Sequence, residues 1–426
     1  MVEITPTSPS PSASAAPPPA ASPPAASPAV SVVRPAIVYA LLFGAVAAYA
    51  PYIPVYLRST GLDLGLVGLL IALHATVSLV AAPTWGALAD GLGDVRAPIL
   101  VACLLAAAAA TLMALVTQPL ALTAAIVLLA CGTAGIIPMV DSKAVRMVGQ
   151  RDRFGRARAW GSAAFIVIAF ATGAAIGRFG PVGMFVLYGP MLIGTGLAAF
   201  ALLRLPGEDR SHSPVARSRG RMTGALSAFS LSTIVEAVRQ PIIGRFFVGS
   251  IVVWTAFATI QTFISLRVVQ LGGDATVVGA TFSVAALTEI PLMFAFPNLA
   301  RRFGAERLLI IGAIAFGLRA AAVAIVTSPL AIVAASPLSG IGFAFFYVGT
   351  VTWVAGAVPR RVQATAQGVF TGTAVSIGAI GGSVVAGLIG GAFSLPILFG
   401  LAAVGHVIGV ILVWRAVGRP RRAVAG

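Results

Sequence analysis

The chain has 426 residues, 58% of them hydrophobic and only 9% charged, with a formal net charge of +16. A water-soluble fold of this length cannot hide that much apolar surface, so lipid must be most of its solvent. The basic residues stand singly or in short clusters between apolar runs, which excludes a nucleic-acid-binding domain despite the charge.

Residues 1–33 are rich in Ala, Pro and Ser and lack the charged-then-apolar order of a secretory signal, so a disordered tail is expected. A membrane helix needs about 20 mostly apolar residues. That rule predicts twelve spans, at 36–57, 65–88, 97–116, 120–140, 159–176, 181–203, 242–266, 276–299, 308–326, 331–354, 362–389 and 395–413. The expected fold class is an all-α polytopic membrane protein whose twelve transmembrane helices form two pseudo-symmetric six-helix bundles. The bundles are placed at 34–203 and 242–416, with a polar linker at 204–241 and a basic tail at 417–426.

Connections alternate in character. Of the 28 Lys and Arg, 24 form one set on one side of the spans, while Arg58, Arg178 and Arg267 fall on the other side and Arg319 lies within a span. The positive-inside rule assigns that set, and both termini, to the cytoplasm of a cell-membrane protein. An internal repeat supports the two halves. Shifting the chain by 211 residues lays LVG at 66–68 on VVG at 277–279, and GALADGLGDVR at 86–96 on PNLARRFGAER at 297–307. Both copies run in the same direction, so the pseudo-axis lies along the membrane normal.

Two six-helix halves with this loop resemble the major facilitator superfamily, whose loop between helices two and three reads G-x-x-x-D-R-x-G-R-R. Gly86, Asp90 and Gly93 match, and Arg96 closes the stretch; Gly91 and Asp94 depart from the pattern. The resemblance implies that this loop makes state-dependent contacts. FGRARAWGSAAF at 154–165 resembles the start of helix five in the lactose-permease, phenylpropionate-permease-like and nucleoside:proton symporter branch. There an acid ending helix four and an arginine beginning helix five act in binding or coupling. The matching residues are Asp141 and Arg158, with Trp160 as the aromatic beside them. The sugar symporter of that branch also carries a His and an acid in helix ten, and span 331–354 has neither, so any proton route runs elsewhere.

A charge at bilayer depth costs at least ~2.5–3.5 kcal/mol, which makes intramembrane ionisable residues functional candidates. Glu289 and Arg319 lie at similar depth on consecutive spans, roughly 15 Å from the cytoplasmic side at ~1.5 Å per residue. An ion pair is expected there, and whether it is a fixed bridge or a functional pair stays open. Glu289 is the best proton carrier, and His74 is a further mid-depth candidate. Tyr52, Trp254, Gln261 and Phe346 are candidate cavity residues; Pro51 and Pro54 should break the first helix around Tyr52.

The expected activity is secondary transport of a small organic solute by alternating access. Proton symport of a sugar, nucleoside or aromatic/carboxylate-like solute is the first reading, and proton-coupled export of drugs or metabolites the alternative. A non-transporting receptor is disfavoured by the intramembrane charges. No Walker-type G-x-x-x-x-G-K-[ST] occurs. Neither an enzyme nor a metal site or cofactor is expected. The expected partners are solute, protons and the lipid bilayer, with no nucleic acid, and the expected working unit is a monomer.

Overall fold

Proline placement decides where the first crossing bends. α1 (Val33–Ser59) is helical over Val33–Tyr49 and again over Ile53–Ser59. Pro51 and Pro54 lack the N–H groups that would continue the ladder between the two pieces. The structure is a computed structural model that describes residues 32–148, 151–204, 241–357 and 370–417. The expected tails and linker lie almost wholly outside the described residues.

The other crossings are α2 (Leu64–Leu92), α3 (Arg96–Leu115), α4 (Pro119–Val148), α5 (Arg151–Phe179) and α6 (Met184–Leu202). The second half contributes α7 (Pro241–Gln270), α8 (Ala275–Phe303), α9 (Ala305–Ile325), α10 (Pro329–Ala357), α11 (Ser376–Ala392) and α12 (Leu395–Val417). All but α11 are long and apolar enough to cross a membrane. α11 has 17 residues and follows a wide helical turn at Phe370–Val375. Among the described residues there is no strand.

The repeat is visible in the helix starts. Asp63 accepts from Leu66 N at 2.8 Å, and Asp274 accepts from Val277 N at 2.9 Å, capping α2 and α8. The two caps stand 211 residues apart, the register of the sequence repeat. Packing repeats as well. α1 lies between α5 and α6, α3 between α4 and α6, and α2 on α4. In the second half α7 lies between α11 and α12, α9 between α10 and α12, and α8 on α10.

The two bundles meet along α2–α11 and α5–α8. Glycine makes both seams tight. A Cβ on Gly68 would stand 2.4 Å from Gly387 Cα, and one on Gly173 would stand 2.7 Å from Ala275 O. In lipid, where the hydrophobic effect does not drive helices together, such close backbone approach supplies the packing contact. Hydrogen bonds cross at the end away from the termini. Ser265 Oγ donates to Pro51 O at 2.5 Å, and Tyr52 Oη, which lies 2.6 Å from Ala169 O of its own bundle, reaches across to 3.2 Å from Ala275 O.

Two helix ends differ from the sequence expectation. α5 begins at Arg151 instead of near 159, and α4 continues to Val148 past Asp141. Arginine is a good helix former, and its long stem lies along the helix while the head reaches water. The polar run therefore extends the helices, and Asp141 and Arg158 sit within them, not at their tips.

Candidate functional site

α4 is interrupted between Thr133 and Ile136, and Trp85 of α2 seals the break by donating Nε1–H to Cys131 O at 2.7 Å. The segment beyond the break, Ile136–Val148, carries Asp141 toward α5. Arg158 Nη1 donates to Asp141 Oδ1 at 3.0 Å and to Oδ2 at 2.8 Å. Tyr39 of α1 donates its hydroxyl to the same Oδ1 at 2.6 Å. The guanidinium lies over the Phe43 ring at 5.2 Å and the Tyr39 ring at 6.0 Å. The side chains of Arg158 and Asp141 are 41% and 30% exposed, so the pair is reachable from outside the protein. One nitrogen does all the pairing. Nη2 and Nε make no hydrogen bond to a described residue, which leaves N–H donors for a ligand on a charge held in place by Asp141.

The expected Glu289–Arg319 ion pair is not formed. Arg319 is fully buried and donates from Nη1 to Gln261 Oε1 at 2.9 Å and Ser339 Oγ at 3.0 Å. Its Nε has no partner. Glu289 instead lies where Arg158 acts on it electrostatically, across the α5–α8 seam. Equal depth counts helical turns and is silent about azimuth. Arg319 points into its own bundle toward α7 and α10, while Glu289 sits on the part of α8 that faces α5 and α10. The contact with Arg319 also fixes the Gln261 amide, because a guanidinium only donates and so holds Oε1, leaving the NH2 group turned away.

The remaining candidates separate into groups. Trp254 and Phe346 are buried 5.8 Å apart in a ring cluster with Phe257, Phe343 and Tyr347, and the Trp254 indole N–H has no acceptor. His74 lies 3.4 Å from Thr133 Oγ1 and beside the Tyr49 ring, inside the first bundle. Tyr52 is buried in the closed end between the bundles, away from Asp141 and Arg158. Trp160 is 63% exposed. At ~100° per residue it stands about 200° round α5 from Arg158, on the opposite side from the pair.

In the α2–α3 loop, Gly93 takes a left-handed backbone, φ 70°, and its N–H caps Asp90 O. Gly86 is free of close neighbours and Asp90 is exposed. The ionic contact belongs to Asp94, which accepts from Arg96 Nε at 2.7 Å and lies 3.6 Å from the buried Lys143 Nζ. Partial burial raises the Asp94 pKa. The Arg96 backbone N–H, the Arg96 guanidinium and Lys143 outweigh it, so the carboxyl is held below its usual value.

Sequence reasoning missed Tyr39, Phe43, Ser339 and Asp94 as contact residues. Tyr39 and Phe43 had a readable signal, two aromatics four apart on one face of an apolar span, one with a hydroxyl. Asp94 was visible only as a departure from the loop pattern.

Helices that cross a membrane in two like-oriented bundles, with a reachable charged cluster near the boundary between them, define a polytopic membrane transport protein. The MFS_1 like family model matches residues 32–401. The chain belongs to that family, within the major facilitator superfamily. It is 25% identical over 387 residues to a maltose permease of Geobacillus stearothermophilus, covering 90% of this chain and 94% of that protein. It is 23% identical over 337 residues to the uncharacterized transporter YwbF of Bacillus subtilis, covering 77% and 79%. Among solved structures, the nucleoside transporter NupG superposes with a TM-score of 0.77 at 15% identity, covering 91% of this chain and 99% of that one. A peptide transporter POT in complex with sulfate superposes at 0.70 and 15%, covering 91% and 95%. At these identities the two structures speak for the fold.

Proposed function

We propose that the protein is a proton-coupled symporter of a small polar solute, working by alternating access in the cell membrane with both termini in the cytoplasm. The observation that carries this is the reachable Asp141–Arg158 pair, whose guanidinium engages Asp141 through Nη1 alone and lies on α5, the helix that packs against the α8 helix of Glu289. Arg158 offers donors to a hydroxyl, carbonyl or carboxylate of the solute. Glu289 is a carboxyl in electrostatic contact with the solute-binding cation. A solute that occupies Arg158 changes the charge that Glu289 feels, which links solute binding to proton binding. In the conformation described, the bundles are closed at the end away from the termini, so the solute enters and leaves at the terminal side. The sequence likeness to a maltose permease supports a sugar as the first solute to test.

The test uses purified protein in proteoliposomes. Maltose, uridine and small carboxylates are screened by counterflow, then by accumulation under an inward proton gradient. Glu289→Gln is expected to keep counterflow and lose proton-driven accumulation. Undiminished accumulation removes Glu289 from coupling.

Export is the second reading, favoured by the ring cluster around Trp254. Thermal stabilisation by cationic dyes and by none of the polar solutes would establish it over symport.

A further inference from the structure

The two bundles differ at one station where the repeat should make them alike. In the first bundle α1 passes between α5 and α6, and Met191 of α6 fills the gap. A Cβ on Gly44 would stand 3.1 Å from Met191 Sδ, and one on Gly194 would stand 3.5 Å from Leu41 Cδ2. The 211-residue register carries Leu41, Gly44, Met191 and Gly194 onto Val252, Thr255, Ala402 and Gly405. It also carries the first residue of α6, Met184, onto the first residue of α12, Leu395, so the register holds locally. All four counterparts line a crevice of about 290 Å³ between α7, α11 and α12. The side chain that fills the first bundle is thus an alanine methyl in the second.

The crevice opens sideways. Val385 of α11 and Leu401 of α12 line it and are 36% and 48% exposed, and Leu388 and Val404 continue the same outward apolar surface. Its floor is the face of α7 turned away from Trp254 and Gln261. Ile389 and Leu398 put it close to the α11–α12 connection, within the membrane-spanning region. Water needs two to four polar partners to stay in such a space. Of the two hydroxyls on the lining, that of Thr259 is already engaged with Thr255 O at 2.9 Å and Gly382 O at 3.2 Å, and that of Thr255 alone is fewer partners than a water needs. Lipid tails are what bathes a lateral opening at this depth. A tail that enters gains dispersion contacts on several sides which a flat helix surface does not offer.

We propose that this crevice is a binding site for one acyl chain of a phospholipid, in the leaflet away from the chain termini, opened because Ala402 stands where Met191 stands in the first bundle. The seated tail lies against the α7–α11 contact that the Thr259–Gly382 hydrogen bond marks. α11 in turn forms the α2–α11 seam between bundles, so the site is placed to tie lipid occupancy to the position of that seam.

The test is native mass spectrometry of the full chain in detergent, titrated with 1-palmitoyl-2-oleoyl-phosphatidylglycerol and with the phosphatidylcholine of the same tails. The wild type is expected to retain one lipid more than Ala402→Met with either headgroup. Met191→Ala, which copies the open station into the first bundle, is expected to gain one. Equal lipid counts in wild type and Ala402→Met overturn the proposal. So does retention that follows the headgroup and ignores residue 402. If Ala402→Met is not monodisperse, Met191→Ala decides alone, and no added lipid on it is a refutation.

Discussion

Gly68→Ala is expected to shift the protein out of the conformation described. The new Cβ would stand 2.4 Å from Gly387 Cα, 2.6 Å from Gly387 N and 2.7 Å from Ser383 O, all backbone atoms of α11. Ordinary carbon contacts lie near 3.5–4.0 Å, so α2 and α11 must part by about 1 Å. Overpacking of this kind costs ~1–3 kcal/mol, and it is charged only to conformations that keep the seam closed. An alternating-access cycle must open that seam in another state, so the same energy appears as a population shift of about 5–150-fold. The assay is double electron–electron resonance between spin labels at Leu120 and Leu330, exposed residues at the starts of α4 and α10 on the rim away from the termini. Gly68→Ala should add a longer-distance population. Gly132→Ala is the control, because its Cβ would strike Ala106 N at 2.7 Å within one bundle; it should lower the melting temperature and leave the distances alone. An unchanged distance distribution in folded Gly68→Ala refutes the reasoning.

Further outcomes follow from the charged groups. Arg158→Lys should keep the Asp141 contact, since one nitrogen already makes it, yet lose the free donors; solute uptake should fall about 10–100-fold, the worth of a hydrogen bond to a charged group. Arg156→Lys should transport normally, and equal tolerance at both positions would remove Arg158 from the site. A double-mutant cycle on Glu289→Gln and Arg319→Gln should give a coupling energy near zero in thermal melts, against ~0.5–3 kcal/mol for residues in contact. Gln261→Glu should raise the melting temperature by giving buried Arg319 a carboxylate while lowering uptake, because it removes the amide donor; a lower melting temperature would contradict the assigned geometry. Asp94 has a depressed folded pKa, so its contribution is present above its unfolded value of about 4 and is lost as pH falls through the folded value. Acidification through that range should bring the wild-type melting temperature down toward that of Asp94→Asn, and parallel pH curves would show that Asp94 carries no linkage.

What the sequence made legible follows from how strongly lipid constrains a chain. A bilayer demands apolar runs of fixed length with satisfied backbone, so the spans, their break at Pro51 and Pro54, and the doubling at 211 residues could all be read. The Asp141–Arg158 pair could be read because a motif named both members. Azimuth could not. Glu289 and Arg319 share a depth and face different neighbours, and only the packed helices reveal which. Helix ends among arginines were also obscure, because hydropathy stops at the membrane surface while the helix does not. The α2–α3 loop shows a third kind of failure: the acid departing from the family pattern, Asp94, makes the ion pair, while the matching acid, Asp90, is exposed.

The matched caps at Asp63 and Asp274 bear on the order of the halves along the chain. Each half begins and ends on the same side of the membrane after six crossings, and each starts its second helix at the same station. Chain order therefore does little to set the geometry of either half. A circularly permuted protein that begins at α7, runs through α12, and then continues by a polar linker into α1–α6 should assemble the same two seams. The order of the halves along the chain is in that sense separable from the fold, which should accept its reversal.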